Sequence, residues 1–275
     1  MREANFSESQ LQQAVNTAFM QFIADKTKTL PFAHVPSLFD ESSLGWDTAF
    51  YFKGLKHCLP NPDHQGCNFF IQYKLSGLLT SAGAKEWHDW GTDYFRFKIP
   101  HSTKDAHGKF IDDYHQWDSL KELAGKGYPT FYATNSTLSR DELIKAYDSK
   151  SLINEIPLLD VRNVHGRHKH VTFTSSSKHF KLHSEVERVE KVSIETALQN
   201  VLVQKSSSLR VFVNSLERHL RTRAEKNESL QHYFLRSTES TDNDILSPVQ
   251  VWRRYLVLSS LVRKYIGAEM IWIPK

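Results

Sequence analysis

Cysteine is scarce in the 275-residue chain: Cys58 and Cys67 are its whole complement. Two thiols are too few for a disulfide framework, so the fold has to be held by its core. Long apolar runs are missing too; Lys, Gln or Arg interrupts every stretch before it reaches the roughly eighteen residues that a membrane helix needs. The opening MREANFSESQLQQ lacks the apolar centre of a signal peptide, and the expectation is a reduced, cytoplasmic protein that does not enter a membrane. Neither sign of charge is in large excess. The 35 Lys and Arg against 31 Asp and Glu leave a formal net charge of +4, which excludes a protein that coats nucleic acid over its whole surface and requires any basic patch to be local. No G-x-x-x-x-G-K-[ST] is present, so an ATP-driven activity of the P-loop kind is excluded, and no internal repeat or extended low-complexity segment divides the chain.

What is present, 40% hydrophobic and 24% charged residues, suits one large α/β domain with an appendage. Leu11, Val15, Ala18, Phe19 and Phe22 recur at helical spacing after Ser7, a cap residue, and predict a first helix over 7–24. Residues 47–53 and 68–75 read as strands joined by the turn-rich HCLPNPDHQGCN, and are expected to pair as a hairpin. A strand at 93–99, a helix at about 111–125 ending at Gly125 and Gly127, and a strand in YPTFYAT follow. Strand, helix, strand in that order predicts a crossover and some parallel pairing. A helix at 139–152 and short β segments over 156–184 come next, and from about 194 the pattern turns helical, over 194–225 and 248–266. The expected division is 1–190 for the α/β domain and 191–275 for a mainly helical C-terminal extension packing on it.

Two strands carry side chains that a plain core does not need. GWDTAFYF opens with Asp47, and FFIQYK places Gln72 and Lys74 two positions apart, on one face of their strand with Phe70. An ammonium on an apolar strand is costly unless an anion meets it, and Asp47 is the expected partner. One reading is a buried ion pair that fastens a hairpin in a structural subunit. The other is a site for phosphodiester hydrolysis, in which the Asp47 carboxylate and the Gln72 carbonyl hold Mg2+ or Mn2+ while Lys74 orients water or neutralises the phosphate.

Asp47 followed twenty-five residues later by Gln72-x-Lys74 resembles the D-(x)n-(D/E)-x-K signature of the PD-(D/E)XK nucleases, the restriction-endonuclease-like superfamily, and the Q-x-K form is similar to that of Mrr-type restriction nucleases. The resemblance covers about residues 7–135 and implies a restriction-endonuclease-like core, a mixed sheet flanked by helices. It implies DNA as substrate, Mg2+ or Mn2+ as cofactor, and a place as effector of an anti-phage or restriction system licensed by a separate sensor or ATPase protein, with a homo-oligomer compatible with that role. Gln72 replaces the usual acid. Glu41 is the first choice to compensate and Glu8 on the first helix the second, since family members often supply an acid there. Gln116, on the crossover helix, resembles a glutamine that faces the active site in related nucleases. The alternative is a catalytically silent nucleic-acid-binding subunit that keeps the fold and Lys74.

Three further groups are weighed against blander explanations. His57, Cys58, His64 and Cys67 supply enough donors for zinc, but their spacing fits no standard finger and a loop with incidental donors is preferred. HGRHKH and HFKLH interleave histidines with Arg167, Lys169, Lys178 and Lys181, which favours phosphate contact or a solvated hairpin over a metal. In the C-terminal helices, the stripe of Val251, Tyr255, Leu258 and Val262 reads as a packed face, and the arginines of RHLRTR (Arg218 to Arg223) with Arg253, Arg254, Arg263 and Lys264 read as solvated cations or the wall of a DNA channel. Trp87 and Trp90 read as core anchors or stacking platforms in a loop.

Overall fold

A computed structural model describes residues 1–27, 31–34, 49–52, 62–63, 65–105, 107–203, 207–225, 230–232, 234 and 246–274. In chain order the elements are α1 Glu8–Thr27, β1 Pro31–His34, β2 Ala49–Phe52, β3 Gln65–Lys74, β4 Gly77–Leu79, β5 Tyr94–Lys98, β6 His101–Lys104 and β7 Phe110–Asp113. Then follow α2 His115–Gly125, β8 Thr130–Thr134, α3 Arg140–Asp148, α4 Leu152–Glu155, β9 Leu158–Asp160, β10 His170–Phe173, β11 His179–His183 and β12 Glu187–Val192. The last are α5 Ile194–Val203, β13 Ser207–Ser208, α6 Leu209–Ala224, α7 Pro248–Leu261 and β14 Glu269–Pro274. The chain divides into two compact units, Met1–Phe22 with Phe69–Asn200, and Ile23–Asn68 with Val201–Lys275.

The first unit is built on a large curled mixed sheet in the order β3-β8-β9-β12-β11-β10-β5-β4. β3 and β8 are parallel, with Gln72 opposite Tyr132 and Lys74 opposite Thr134, and the other neighbours in this order are antiparallel. β4 lies at the far end of the order from β3 yet follows it after only Leu75 and Ser76, so the sheet has to curl back on itself. Asn135 holds the turn: its Oδ1 accepts the Ser76 N–H at 2.7 Å and its Nδ2 donates to the Ser76 carbonyl at 3.1 Å.

β3 is buried on both faces, from Phe70 at 0% exposure to Lys74 at 7%. On one face α1 packs: Phe19 meets Phe69 edge-on at 5.5 Å, and the Tyr73 hydroxyl donates to Asn16 Oδ1 at 2.7 Å. The spacing that predicted this helix is its buried stripe, Leu11, Val15, Ala18 and Phe19, and Ser7 Oγ caps it by accepting the Gln10 N–H at 3.1 Å. On the other face lies α2, where Trp117 stacks on Tyr132 at 6.1 Å. This is the crossover that a parallel pair requires.

Two expectations are corrected within the described residues. β2 pairs with β1, Phe32 opposite Tyr51, and not with β3; the edges of β3 serve β8 along Phe70–Lys74 and β13 at Gln65 and Gly66. The helix expected from 111 starts at His115, because Phe110–Asp113 is drawn into an antiparallel ribbon with His101–Lys104 and Asp113 Oδ1 accepts the His115 N–H at 2.9 Å.

In the second unit, α6 is capped by Ser208 and α7 by a capping box of Ser247 and Gln250 with Pro248 in the first turn. The expected stripe of Val251, Tyr255, Leu258 and Val262 is buried. Beyond the helix expected over 248–266, MIWIP forms part of the strand β14; Trp272 stacks on Phe212 at 5.8 Å and the Tyr255 hydroxyl donates to the Met270 carbonyl at 3.2 Å.

Candidate active site

Gln72 and Lys74 emerge together from β3, as the two-residue period of a strand requires. Gln116 lies in the first turn of α2, and the side-chain amide of Gln72 donates to its Oε1. The first residue of β6 completes the group. His101 Nε2 stands 2.8 Å from Lys74 Nζ and also approaches Gln116 Oε1. Gln72 and Lys74 are almost wholly buried, at 3% and 7% exposure, whereas His101 is exposed and Gln116 half-buried.

The charges follow from the geometry. Burial lowers the pKa of Lys74, and the carboxylate of Glu8, in the exposed first turn of α1, acts in the opposite sense. Among the described residues Lys74 makes no ion pair; its polar partner is the imidazole. An ammonium has only donors, so opposite a charged Lys74 the His101 Nε2 carries its lone pair and the ring proton sits on Nδ1. Nε2 cannot at the same time donate to Gln116. If the proton moves to Nε2, the bond to Gln116 replaces the bond to Lys74.

Gln72 contributes the second notable feature. With its Nε2 engaged by Gln116, its Oε1 is buried and has no partner among the described residues. A buried carbonyl left so costs about 1–3 kcal/mol, and the position is a hard-oxygen donor awaiting a water or a cation. That chemistry fits one ligand of Mg2+ or Mn2+.

Of the expected site residues, Gln72, Lys74 and Gln116 are brought together. Asp47 and Glu41 lie outside the described residues, as do His57, Cys58 and His64. Among the described residues no group of three or more His, Cys, Asp or Glu is placed to hold a metal. His101 was not anticipated. It stands twenty-seven positions after Lys74 in KIPHSTK, and no local spacing signals that it returns to β3.

The other basic clusters are largely neutralised from within. His168, at 2% exposure, and His165 both meet Glu187, at 2.7 and 2.9 Å. Arg167 pairs with Asp118 at 2.7 Å, and Lys181 lies 3.5 Å from Asp89 and over the Trp90 ring. Trp90 donates from Nε1 to Thr172 at 3.0 Å, which makes it an anchor of this network, and Trp87–Asp89 is a 3-10 turn instead of an open loop. In the second unit, Glu217 takes Arg221 at 2.8 Å and Arg254 at 3.0 Å.

Comparison with family models, curated proteins and solved structures finds no match to the chain. No helix among the described residues is long and apolar enough to cross a membrane.

Proposed function

We propose that the protein is a metal-dependent nuclease that hydrolyses phosphodiester bonds of DNA, with a restriction-endonuclease-like core around β3, α2 and β8. The observation that carries this reading is a buried lysine without a described ion-pair partner, Lys74, two residues from a buried carbonyl without a described partner, Gln72. A structural ion pair does not explain the buried Gln72 carbonyl. The parallel β3–β8 pair reached through α2, with Gln116 turned onto Gln72, supports the resemblance in element order as well as in motif.

Gln72 Oε1 and the Asp47 carboxylate would hold Mg2+ or Mn2+, with Glu41 or Glu8 as the second acid. When bound, the cation polarises the phosphoryl oxygens and lowers the pKa of an attacking water. Lys74 offers a preorganised cation to the charge that develops on the phosphate. His101 keeps the Lys74 ammonium aimed by accepting one of its N–H groups at Nε2. Gln116 fixes the rotamer of Gln72, so that its oxygen faces the ligand position. A role as effector of a restriction or anti-phage system, with a sensor or ATPase partner, extends the same resemblance.

The neutral Gln72 and the lack of a described three-ligand cluster favour a second reading, a nucleic-acid-binding subunit without catalysis. Incubating the full chain with supercoiled plasmid in Mg2+, Mn2+ or EDTA separates the two. Nicked or linear product that needs the metal and is lost in Lys74→Met supports the nuclease. Binding without product overturns it.

A further inference from the structure

The ribbon of β6 and β7 stands apart from the curled sheet as a two-stranded sheet of its own. Its register puts His101 opposite Asp113 and Lys104 opposite Phe110. By strand alternation, His101, Thr103, Ile111 and Asp113 share one face, and Ser102, Lys104, Phe110 and Asp112 share the other.

A lone two-stranded ribbon is marginal in water, and this one is pinned at its base. Asp112 receives Lys98 at 2.6 Å and Lys169 at 2.7 Å, and these two cations hold its carboxyl down at about 2. The tip is closed by Asp105, whose Oδ1 accepts the N–H groups of His107 and Lys109, both at 2.9 Å. Gly108 adopts a left-handed φ of 75° in this turn.

The outer half of so well-fixed an arm carries the wrong side chains for mere solvation. Phe110 is 68% exposed and Ile111 45% exposed. Lys104 Nζ sits 5.3 Å from the centre of the Phe110 ring, and Lys109 is exposed beside it. An aromatic face bordered by free ammonium groups is the combination that takes an unpaired base and its phosphates. Of the three acids of the arm, Asp112 is held by two lysines, Asp105 accepts the N–H groups of the turn, and Asp113 lies on the face opposite to Phe110. Lys104 lies three strand positions beyond His101, about 10 Å or roughly three stacked nucleotides. The base of the same arm touches Lys74.

We infer that the β6–β7 ribbon is a single-strand-holding arm: Phe110 stacks on an unpaired DNA base and Lys104 and Lys109 meet the adjoining phosphates, on the face of the ribbon opposite to His101. Only the service of this arm to the site at Lys74 rests on the nuclease reading; the binding does not.

The test is the affinity of the full chain for fluorescein-labelled single-stranded dT20 and for a duplex of equal length, measured by anisotropy in EDTA across a salt series. Phe110→Ala should weaken dT20 binding by roughly five- to a hundredfold, with the salt slope unchanged, and Phe110→Trp should restore it. Lys104→Gln with Lys109→Gln should reduce the log–log salt slope by about 1.4, the value for two phosphates of a single strand. All three substituted positions are exposed, so thermal melts should overlay wild type. Unchanged dT20 affinity in Phe110→Ala overturns the inference. So does a loss confined to the duplex, tighter binding of U20 than of dT20, or a change in sedimentation showing that Phe110 serves self-association. Failure of the nuclease reading is seen separately: binding through Phe110 without plasmid cleavage keeps the arm and removes the nuclease, while cleavage with Phe110→Ala at full affinity does the reverse.

Discussion

Replacing Lys74 by Met separates a catalytic cation from a structural one. The side chain is 7% exposed, and Met retains most of the buried stem while deleting the charge. Were Lys74 half of a buried ion pair, its loss would strand a carboxylate at a cost of about 3–5 kcal/mol. The described partner is instead the neutral acceptor His101 Nε2 at 2.8 Å, and His101 is exposed, so water can satisfy it once the ammonium is gone. Burial already lowers the Lys74 pKa, which means that the native state pays for keeping the charge. The expected change in stability is therefore within about 1 kcal/mol of zero. Catalysis should respond on another scale: removing one preorganised donor lowers turnover by about a hundred- to a thousandfold. Urea melts with and without Mg2+ give the first quantity, and plasmid cleavage per folded molecule gives the second. A loss above about 3 kcal/mol in both melts, with activity of the folded fraction unchanged, refutes the reasoning.

Asp47→Ala should lower cleavage by about a hundredfold or more while the chain still folds, because the strongest hard ligand is removed; wild-type rates in a folded variant would exclude Asp47 from the site. Gln72→Glu should retain or raise metal affinity, read as the midpoint of a Mg2+ titration of cleavage or melting temperature, and an unmoved midpoint in both would count against ligation. For His101, replacement by Ala should lower turnover by about tenfold or more, and replacement by Gln, which returns an acceptor near the Nε2 position, should recover much of it; equal activities in the two variants would leave His101 without a positioning role. His170 makes the stability depend on pH. Burial first, then Arg96, lowers its pKa from 6.5 to about 4, with Lys169 and His183 acting the same way and Glu86 against them. The unfolded chain takes up this proton near 6.5 and the folded chain only near 4. This contribution is thus complete above 6.5 and is lost as pH falls towards 4, by about 1–2 kcal/mol after allowing for the half-exposed ring. A His170→Phe variant whose melts show the same slope between pH 6.5 and 4 as wild type would refute it.

Where the sequence could be read, the signal was periodic and the chemistry specific. The stripe Leu11, Val15, Ala18, Phe19 marked α1, and the two-residue period put Gln72 and Lys74 on one face before any contact was known; Gln116 then met Gln72 from the crossover helix. Where reading failed, distant contacts decided. FIDDY offers no clear period, and it becomes a strand because Asp112 is claimed by Lys98 and Lys169 and because His101–Lys104 lies alongside. ERVEKV reads as polar, yet β12 buries Val189 between the half-buried Glu187 and Lys191 of the same face, with Arg188 and Glu190 exposed on the other.

Distance along the chain limits the reading of Lys74 in the same way. Electrostatics applied to the sequence asks for an anion, because a buried ammonium without one is costly, and Asp47, the expected anion, lies outside the described residues. Among the described residues the ammonium meets an imidazole from a ribbon whose own position is set by Asp112 with Lys98 and Lys169, and Glu8 acts on it from an exposed helix end. An imidazole accepts one N–H of Lys74 without cancelling its charge, so the ammonium keeps two further donors and its field for an anionic group. His101 reaches Lys74 only because the ribbon returns to β3, a contact that no local spacing in KIPHSTK signals.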